Sequence, residues 1–116
     1  MKKKSIIIIT GGAGFIGSSL IKYFLKLRIK DKIISIDNYS SGFLKNHVKN
    51  SQVKYIRGEN KDIDKILKNY KKRISVIFHF GEFSRIFQSF KSYKKCFEYN
   101  VHHSSKVIEF AKDNKI

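Results

Sequence analysis

The sequence predicts an α/β fold with a doubly wound parallel sheet, and three observations carry that expectation. Short β-branched runs alternate with segments of helical period along the 116 residues. A glycine-rich turn joins the first run directly to the first helix, and the second run ends in a carboxylate, Asp37. Such alternation needs right-handed crossovers, for which the strand order 3-2-1-4 is expected. The length allows a single domain, 1–116.

Ser5 to Thr10 is a continuous apolar run closed by Gly11 and Gly12, which reads as a strand buried on both faces. Phe15 to Leu27 follows with Ile16, Leu20, Ile21, Phe24, Leu25 and Leu27 at helical spacing. Lys32 to Asp37 is a second buried strand. Asn38 to Ser51, rich in Ser, Asn and Lys, reads as a loop with room for a short helix. Val53 to Arg57 is a third strand ended by Gly58. Ile63, Ile66, Leu67 and Tyr70 mark one face of a short basic helix. Ile74 to Phe80 is the fourth strand, and Tyr93 to about Asp113 a long helix with Phe97, Val101, Val107, Ile108 and Ala111 inward.

Basic residues number 25 and acidic ones 9, for a net charge of +16. The chain has no proline and only two alanines, and Lys, Ile, Asn, Phe and Tyr take their place. That bias matches AT-rich codon usage, so part of the charge is background. The single cysteine, Cys96, has no partner for an internal disulfide, so a reduced, cytoplasmic setting is expected. Lys2-Lys3-Lys4 ahead of Ile6 to Ile9 imitates a signal peptide, but four apolar residues fall short of the roughly 7–15 of a secretory core. No run approaches the ~20 apolar residues of a membrane span, so no membrane partner is expected.

Thr10-Gly11-Gly12-Ala13-Gly14-Phe15-Ile16-Gly17 places glycines where a phosphate needs unobstructed backbone N–H groups. Gly11 suits the tight turn, Gly14 the approach of a pyrophosphate, and Gly17 close helix–strand contact. The strand before and the helix after are the context that makes this triplet a Rossmann-like dinucleotide motif. Asp37 stands twenty residues beyond Gly17, where a carboxylate accepts from the ribose hydroxyls and repels the extra phosphate of NADP. The expected cofactor is therefore NAD. The competing reading of Asp37 is a turn aspartate beside Asn38.

These motifs, with Ile36 to Gly42, His79-Phe80-Gly81-Glu82 and Asn100-Val101, resemble the NAD-dependent epimerase/dehydratase family of extended short-chain dehydrogenases, which act on nucleotide sugars. The segment Phe78 to Phe90 resembles UDP-glucose 4-epimerase-type members more than reductases. The resemblance implies that Gly11, Gly14, Phe15 and Ile16 contact the pyrophosphate, and Gly17 joins them in the cofactor set. It also implies that Asp37 and Asn38 hold the ribose, with Ser40, Ser41 and Gly42 beside it. The family's Gly-Asp-hydrophobic triplet flanks adenine after the third strand; here Gly58-Glu59-Asn60 keeps a carboxylate and gives up an apolar contact. Phe80, Gly81 and Glu82 match the segment passing the nicotinamide ribose, where many relatives carry two alanines. Ser84, Arg85 and Ser89 match a loop facing substrate. Asn100 matches the asparagine opening the next helix and joins the cofactor set, and His103 stands where the family prefers glycine.

The family's chemistry also uses a Ser or Thr and a tyrosine with lysine four residues on. The six tyrosines here are followed at that spacing by Leu27, Phe43, Glu59, Ile74, Phe97 and His103. No catalytic residue is therefore assigned. The chain is expected to be the NAD-binding N-terminal third of an epimerase or dehydratase, inactive alone, with the nucleotide-sugar site in the remainder. The fourth strand would then be an exposed apolar edge, so a homodimer or a complementing chain is expected. The alternative is a non-catalytic binding module or truncated gene product, whose basic residues Lys61, Lys65, Lys68, Lys71, Lys72 and Arg73 would meet an acidic partner or nucleic acid. No nucleic-acid-reading motif accompanies them, so a solvated helix face is the preferred reading. His79 reads as structural, Cys96 as a packing residue, and His102 with His103 as too divergent for one metal site. Glu82 and Arg85 are read as either a surface pair or substrate contacts.

Overall fold

Four parallel strands form one sheet in the order 3-2-1-4 in a computed structural model that describes residues 3–116. Met1 and Lys2, the start of the basic N-terminal cluster, lie outside the described residues. The strands are β1 (Ile6–Thr10), β2 (Lys32–Asp37), β3 (Val53–Arg57) and β4 (Ile74–His79). β1 is central and entirely buried, as a run with no polar alternation requires. It pairs with β2 from Ile6↔Lys32 to Thr10↔Ile36 and with β4 from Ile6↔Ile74 to Thr10↔His79. The β1–β4 register shifts between Ile6 and Ile7, a bulge at which the Ser75 hydroxyl donates to the Ile6 carbonyl.

Successive isoleucines face opposite sides and make two cores. Ile6, Ile8, Ile34 and Ile36 meet Ile63, Leu67, Ile74, Val107 and Phe110 on one face. Ile7, Ile9 and Ile33 meet Ile21, with Leu20, Phe24 and Phe78 around them, on the other. The first face is covered by the one-turn helix α2 (Ile63–Ile66) and by α5 (Ser104–Asp113). The second is covered by α1 (Phe15–Lys26).

The departures from expectation lie in the helices. The basic segment after β3 is helical only over α2, with 3-10 turns at Asn60–Asp62 and Lys71–Arg73 on either side. The connection after β4 holds an unexpected helix, α3 (Ile86–Lys91). Ile86, Phe87 and Phe90 are all exposed, so no polar-to-apolar contrast announced it. The long helix breaks into α4 (Tyr93–Phe97), a wide π turn (Glu98–His103) and α5. Phe97, Val101 and Ile108, expected inward, are exposed. The inward face is His103, Ser104, Val107 and Phe110. One residue turns an α-helix by roughly 100°, so an expansion at the π turn re-aims the helix before it relative to the helix after it. Ile108 sits one such step from Val107. Among the described residues β4 pairs only with β1 and is an edge of the sheet.

Two truncations separate these faces. Ile8→Ala empties a fully buried position and is expected to lose about 2–5 kcal/mol in denaturant unfolding, while Ile108→Ala should stay within about 0.5 kcal/mol of the parent.

Candidate functional site

The carboxyl ends of all four strands open into one cleft of about 780 Å³, in the size range of small-molecule sites. One end of it is the β1–α1 turn. Gly11 has φ +75°, a conformation that L side chains rarely adopt. A side chain there would also meet the Phe80–Gly81 backbone at 2.8 Å. At Gly17 an added Cβ would overlap the Gly11 carbonyl, so α1 lies directly against the turn. At Gly14 the added atom would meet only the Gly11 carbonyl, at 3.3 Å. α1 starts at Gly14 with no side-chain cap and no acid in its first turn. Its first N–H groups therefore face the cleft end with the helix dipole behind them.

Beside this turn, β2 delivers Asp37, buried and anchored from two directions. The Ala13 N–H donates to Oδ2 (3.0 Å) and the Tyr39 N–H to Oδ1 (2.8 Å). Each oxygen keeps further acceptor capacity. Asn38 accepts from the Ser40 N–H and donates to the Glu59 carboxylate at 3.2 Å. Phe43 and Asn46 both donate to the Ala13 carbonyl, docking the loop that carries Ser40, Ser41 and Gly42 over the turn. Arg57, register partner of Asp37, lies with its guanidinium 4.4 Å from the Tyr39 ring centre and is not part of the cleft lining.

At the opposite end, a polar chain links β1, β4 and α5. The Gly81 N–H donates to Thr10 Oγ1 (3.1 Å), which lies 2.6 Å from His79 Nδ1. His79 Nε2 lies 2.8 Å from Ser104 Oγ. A neutral imidazole satisfies this chain if Thr10 donates to Nδ1 and the Nε2 proton goes to Ser104, which in turn faces the Tyr99 carbonyl and Glu82. Burial pushes the His79 pKa below its ordinary 6.5, against the opposing pull of Glu82. Glu82 thus faces His79 and Ser104, and among the described residues it forms no ion pair with Arg85.

Most of the expected site residues line this cleft: Gly11, Gly14, Phe15, Ile16, Gly17, Asp37, Asn38, Ser40, Ser41, Gly42, Glu59, Asn60, Phe80, Gly81, Glu82, Ser84 and Arg85. Asn100 does not. Its amide makes a two-way clamp on the Phe83 backbone, at 2.7 and 2.9 Å, and so acts on the loop. Ser89 bonds the Ile86 carbonyl within α3. Asn60 is buried, and its amide donates to the Gly81 carbonyl at 2.7 Å. A Cβ on Gly81 would stand 2.5 Å from that amide nitrogen, so these two departures from the family pattern fit each other. Lys22, Lys45, Asn46, Tyr99 and His103 also line the cleft and were not expected there as ligand contacts. Asn46 and Tyr99 carried no motif, and reached the cleft only through the folding of the 38–51 loop and the helix after α3.

Two measurements test this geometry. Gly81→Ala should displace the Asn60 amide and cost about 1–3 kcal/mol in chemical unfolding, and adding Asn60→Ile should recover most of that loss. Because folding lowers the His79 pKa, the unfolded chain takes up this proton first. His79 therefore opposes folding once pH falls below 6.5, and its penalty stops growing below the folded value. The thermal midpoint should drop between pH 7.5 and 5.5, and the drop should shrink in His79→Gln.

Residues 7–116 match the model of the NAD dependent epimerase/dehydratase family. An epimerase from Methanothermobacter thermautotrophicus is 26% identical, with a TM-score of 0.83 over 94% of this chain and 32% of its own. A UDP-N-acetylglucosamine 4-epimerase from Methanobrevibacter ruminantium, solved with UDP-N-acetylmuramic acid, is 28% identical, with a TM-score of 0.81 over 99% of this chain and 36% of its own. A Thermus thermophilus UDP-glucose 4-epimerase in complex with NAD shares the fold at 21% identity and a TM-score of 0.83, over 96% of this chain and 35% of its own. The chain thus spans about a third of the length of these proteins. Built on the same sheet order and matched by the family model over nearly all its residues, it belongs to the NAD-dependent epimerase/dehydratase family.

Proposed function

We propose that this chain is the NAD-binding part of a nucleotide-sugar epimerase or dehydratase, of the UDP-glucose 4-epimerase type. One observation carries the reading: the uncapped start of α1, open at Gly14, and the Asp37 carboxylate share a single cleft. Donors for a diphosphate and an acceptor for a vicinal diol then lie side by side. The likeness to an epimerase solved with NAD adds support through the fold.

When bound, NAD supplies the hydride acceptor for oxidation of a sugar hydroxyl. The chain's own residues bind and orient it. The first N–H groups of α1 hold the diphosphate, Asp37 and Asn38 the adenosine ribose, and Glu59 the base. Phe80, Gly81 and Glu82 flank the other ribose, and Ser84 and Arg85 face the sugar nucleotide. Asp37 would repel the extra phosphate of NADP, and Arg57 is held against Tyr39 rather than in the cleft. No tyrosine here has lysine four residues on, so proton transfer is not this chain's share and turnover by it alone is not expected. The open side of β4 and the exposed Phe90, Tyr93, Phe97 and Val101 suit cover by a second copy or by a complementing polypeptide.

Calorimetric titration tests the reading. NAD should bind, NADP should bind about tenfold or more weakly, and Asp37→Ala should erase that difference along with most of the affinity. Asp37→Asn keeps an acceptor for only one of the Ala13 and Tyr39 N–H groups, so the folded fraction of each variant is checked by circular dichroism beside the titration. A folded chain that binds neither dinucleotide would overturn the proposal.

A further inference from the structure

Tyr39 stands between the two charges that end β2 and β3. Its φ is +60°, a left-handed conformation uncommon for residues other than glycine. In that conformation its N–H donates to Asp37 Oδ1 at 2.8 Å. Its phenol oxygen lies 2.7 Å from His47 Nε2. His47 in turn stacks on the Tyr55 ring, 3.7 Å between centres, and the Tyr55 hydroxyl accepts from the Val48 N–H. The ring is thus fixed at its backbone and at its far end. Against it lies the Arg57 guanidinium, 4.4 Å from the ring centre.

Arg57 has a closer electrostatic partner than this ring. It is the register partner of Asp37. Ile33, Val53 and Tyr55, at alternate positions along the same two strands, pack on the α1 side of the sheet. The side chains of Asp37 and Arg57 therefore leave on that same side, from strands about 4.8 Å apart. A free guanidinium there would pair with the carboxylate or with an anion beside it. Among the described residues Arg57 forms no ion pair, and the Asp37 carboxylate is left uncompensated by it. Burial pushes the Tyr39 pKa upward, Asp37 adds to that and Arg57 opposes it, as expected for a phenol set between the two charges. A nearby arginine is the group that accommodates a phosphate on the adenosine 2′-oxygen, and Arg57 starts one strand from the acid that would face that oxygen.

Resting on the NAD reading above, we infer that Tyr39 is a positioning residue, whose ring withholds Arg57 from the ribose end of the cleft and so sharpens the preference for NAD over NADP. Asp37 repels the extra phosphate, and Tyr39 keeps the opposite charge from offsetting that repulsion. The ring acts on the arginine and not on the dinucleotide, since Tyr39 is not part of the cleft lining. A cation over an exposed aromatic face is held by a factor of about two to five, which sets the size of the effect.

The test titrates NAD and NADP calorimetrically into the parent chain, Tyr39→Phe, Tyr39→Leu, Arg57→Gln and the double variant Tyr39→Leu with Arg57→Gln. Phenylalanine keeps the ring face, and leucine keeps apolar bulk without it. Both lose the contact to His47 and both meet the same φ, so any loosening of the loop moves them alike. Tyr39→Phe should hold the parental preference, and Tyr39→Leu should narrow it by about threefold to fivefold. Removing Arg57 from the Tyr39→Leu background should restore the preference, and Arg57→Gln alone should stay within about twofold of the parent. A reduced folded fraction lowers both affinities equally, so the ratio reports positioning and not stability. Parental preference in Tyr39→Leu, equal narrowing in Tyr39→Phe, narrowing that survives the loss of Arg57, or a parent without preference overturns the inference while dinucleotide binding stands. Failure of the parent to bind either dinucleotide overturns both readings.

Discussion

Three strands of this sheet are tied together by one close backbone contact, the β1–α1 turn. Gly17 brings α1 against the Gly11 carbonyl, and Gly11 in turn lies against the Phe80–Gly81 backbone at the end of β4. Gly12 leaves its side-chain space to Ser35 of β2, whose buried hydroxyl has no hydrogen-bond partner among the described residues. A methyl group at Gly11 would press on the backbone at the end of β4, one at Gly17 on the turn itself, and one at Gly12 on the Ser35 side chain. The same closeness lets the Ala13 N–H reach Asp37 and the Gly81 N–H reach Thr10. The turn that suits a diphosphate is thus also the joint on which the carboxyl edge of the sheet is built.

Around this joint the unusual residues occur in matched sets. Asn60 occupies space left by Gly81 and bonds its carbonyl, replacing apolar contact with a hydrogen bond across the cleft floor. Glu59 and His103 lie 3.8 Å apart, beyond hydrogen-bond length, and are not matched in this way. Thr10, His79 and Ser104 form a chain in which each buried polar atom is satisfied by the next, which suits a neutral imidazole. A polar residue can replace an apolar one in such an interior when its partner changes with it, because the cost lies in the unmade hydrogen bond.

Lys22, Lys45 and Arg85 bring positive charge to the cleft lining, while the basic cluster of the β3–β4 connection lies outside it. Lys61, Lys65, Lys68 and Lys72 are exposed on the β3–β4 connection, and Lys71 pairs with Asp64 at 2.6 Å. None of them lines the cleft. Exposed charges of this kind add little to folding stability but do govern solubility and nonspecific association.

The strands, their order and the glycine turn were legible in the sequence because each rests on a local rule. β-branched runs, a glycine triplet between strand and helix, and an acid at a fixed distance are all written in consecutive residues. The same holds for Asp37, which the turn and β2 alone bring to the cleft. What only tertiary structure decided lies after β4. There the exposed apolar residues of α3 and α4 erase the contrast that periodicity needs, and the π turn re-aims the helix so that His103 and Phe110 face inward while Phe97 and Val101 face out. Asn100 looks like a ligand contact as a motif residue, yet its amide is spent on the Phe83 backbone. Whether a polar side chain serves a ligand or the fold depends on which partner is nearest, and that is a property of three-dimensional distance that residue order does not carry.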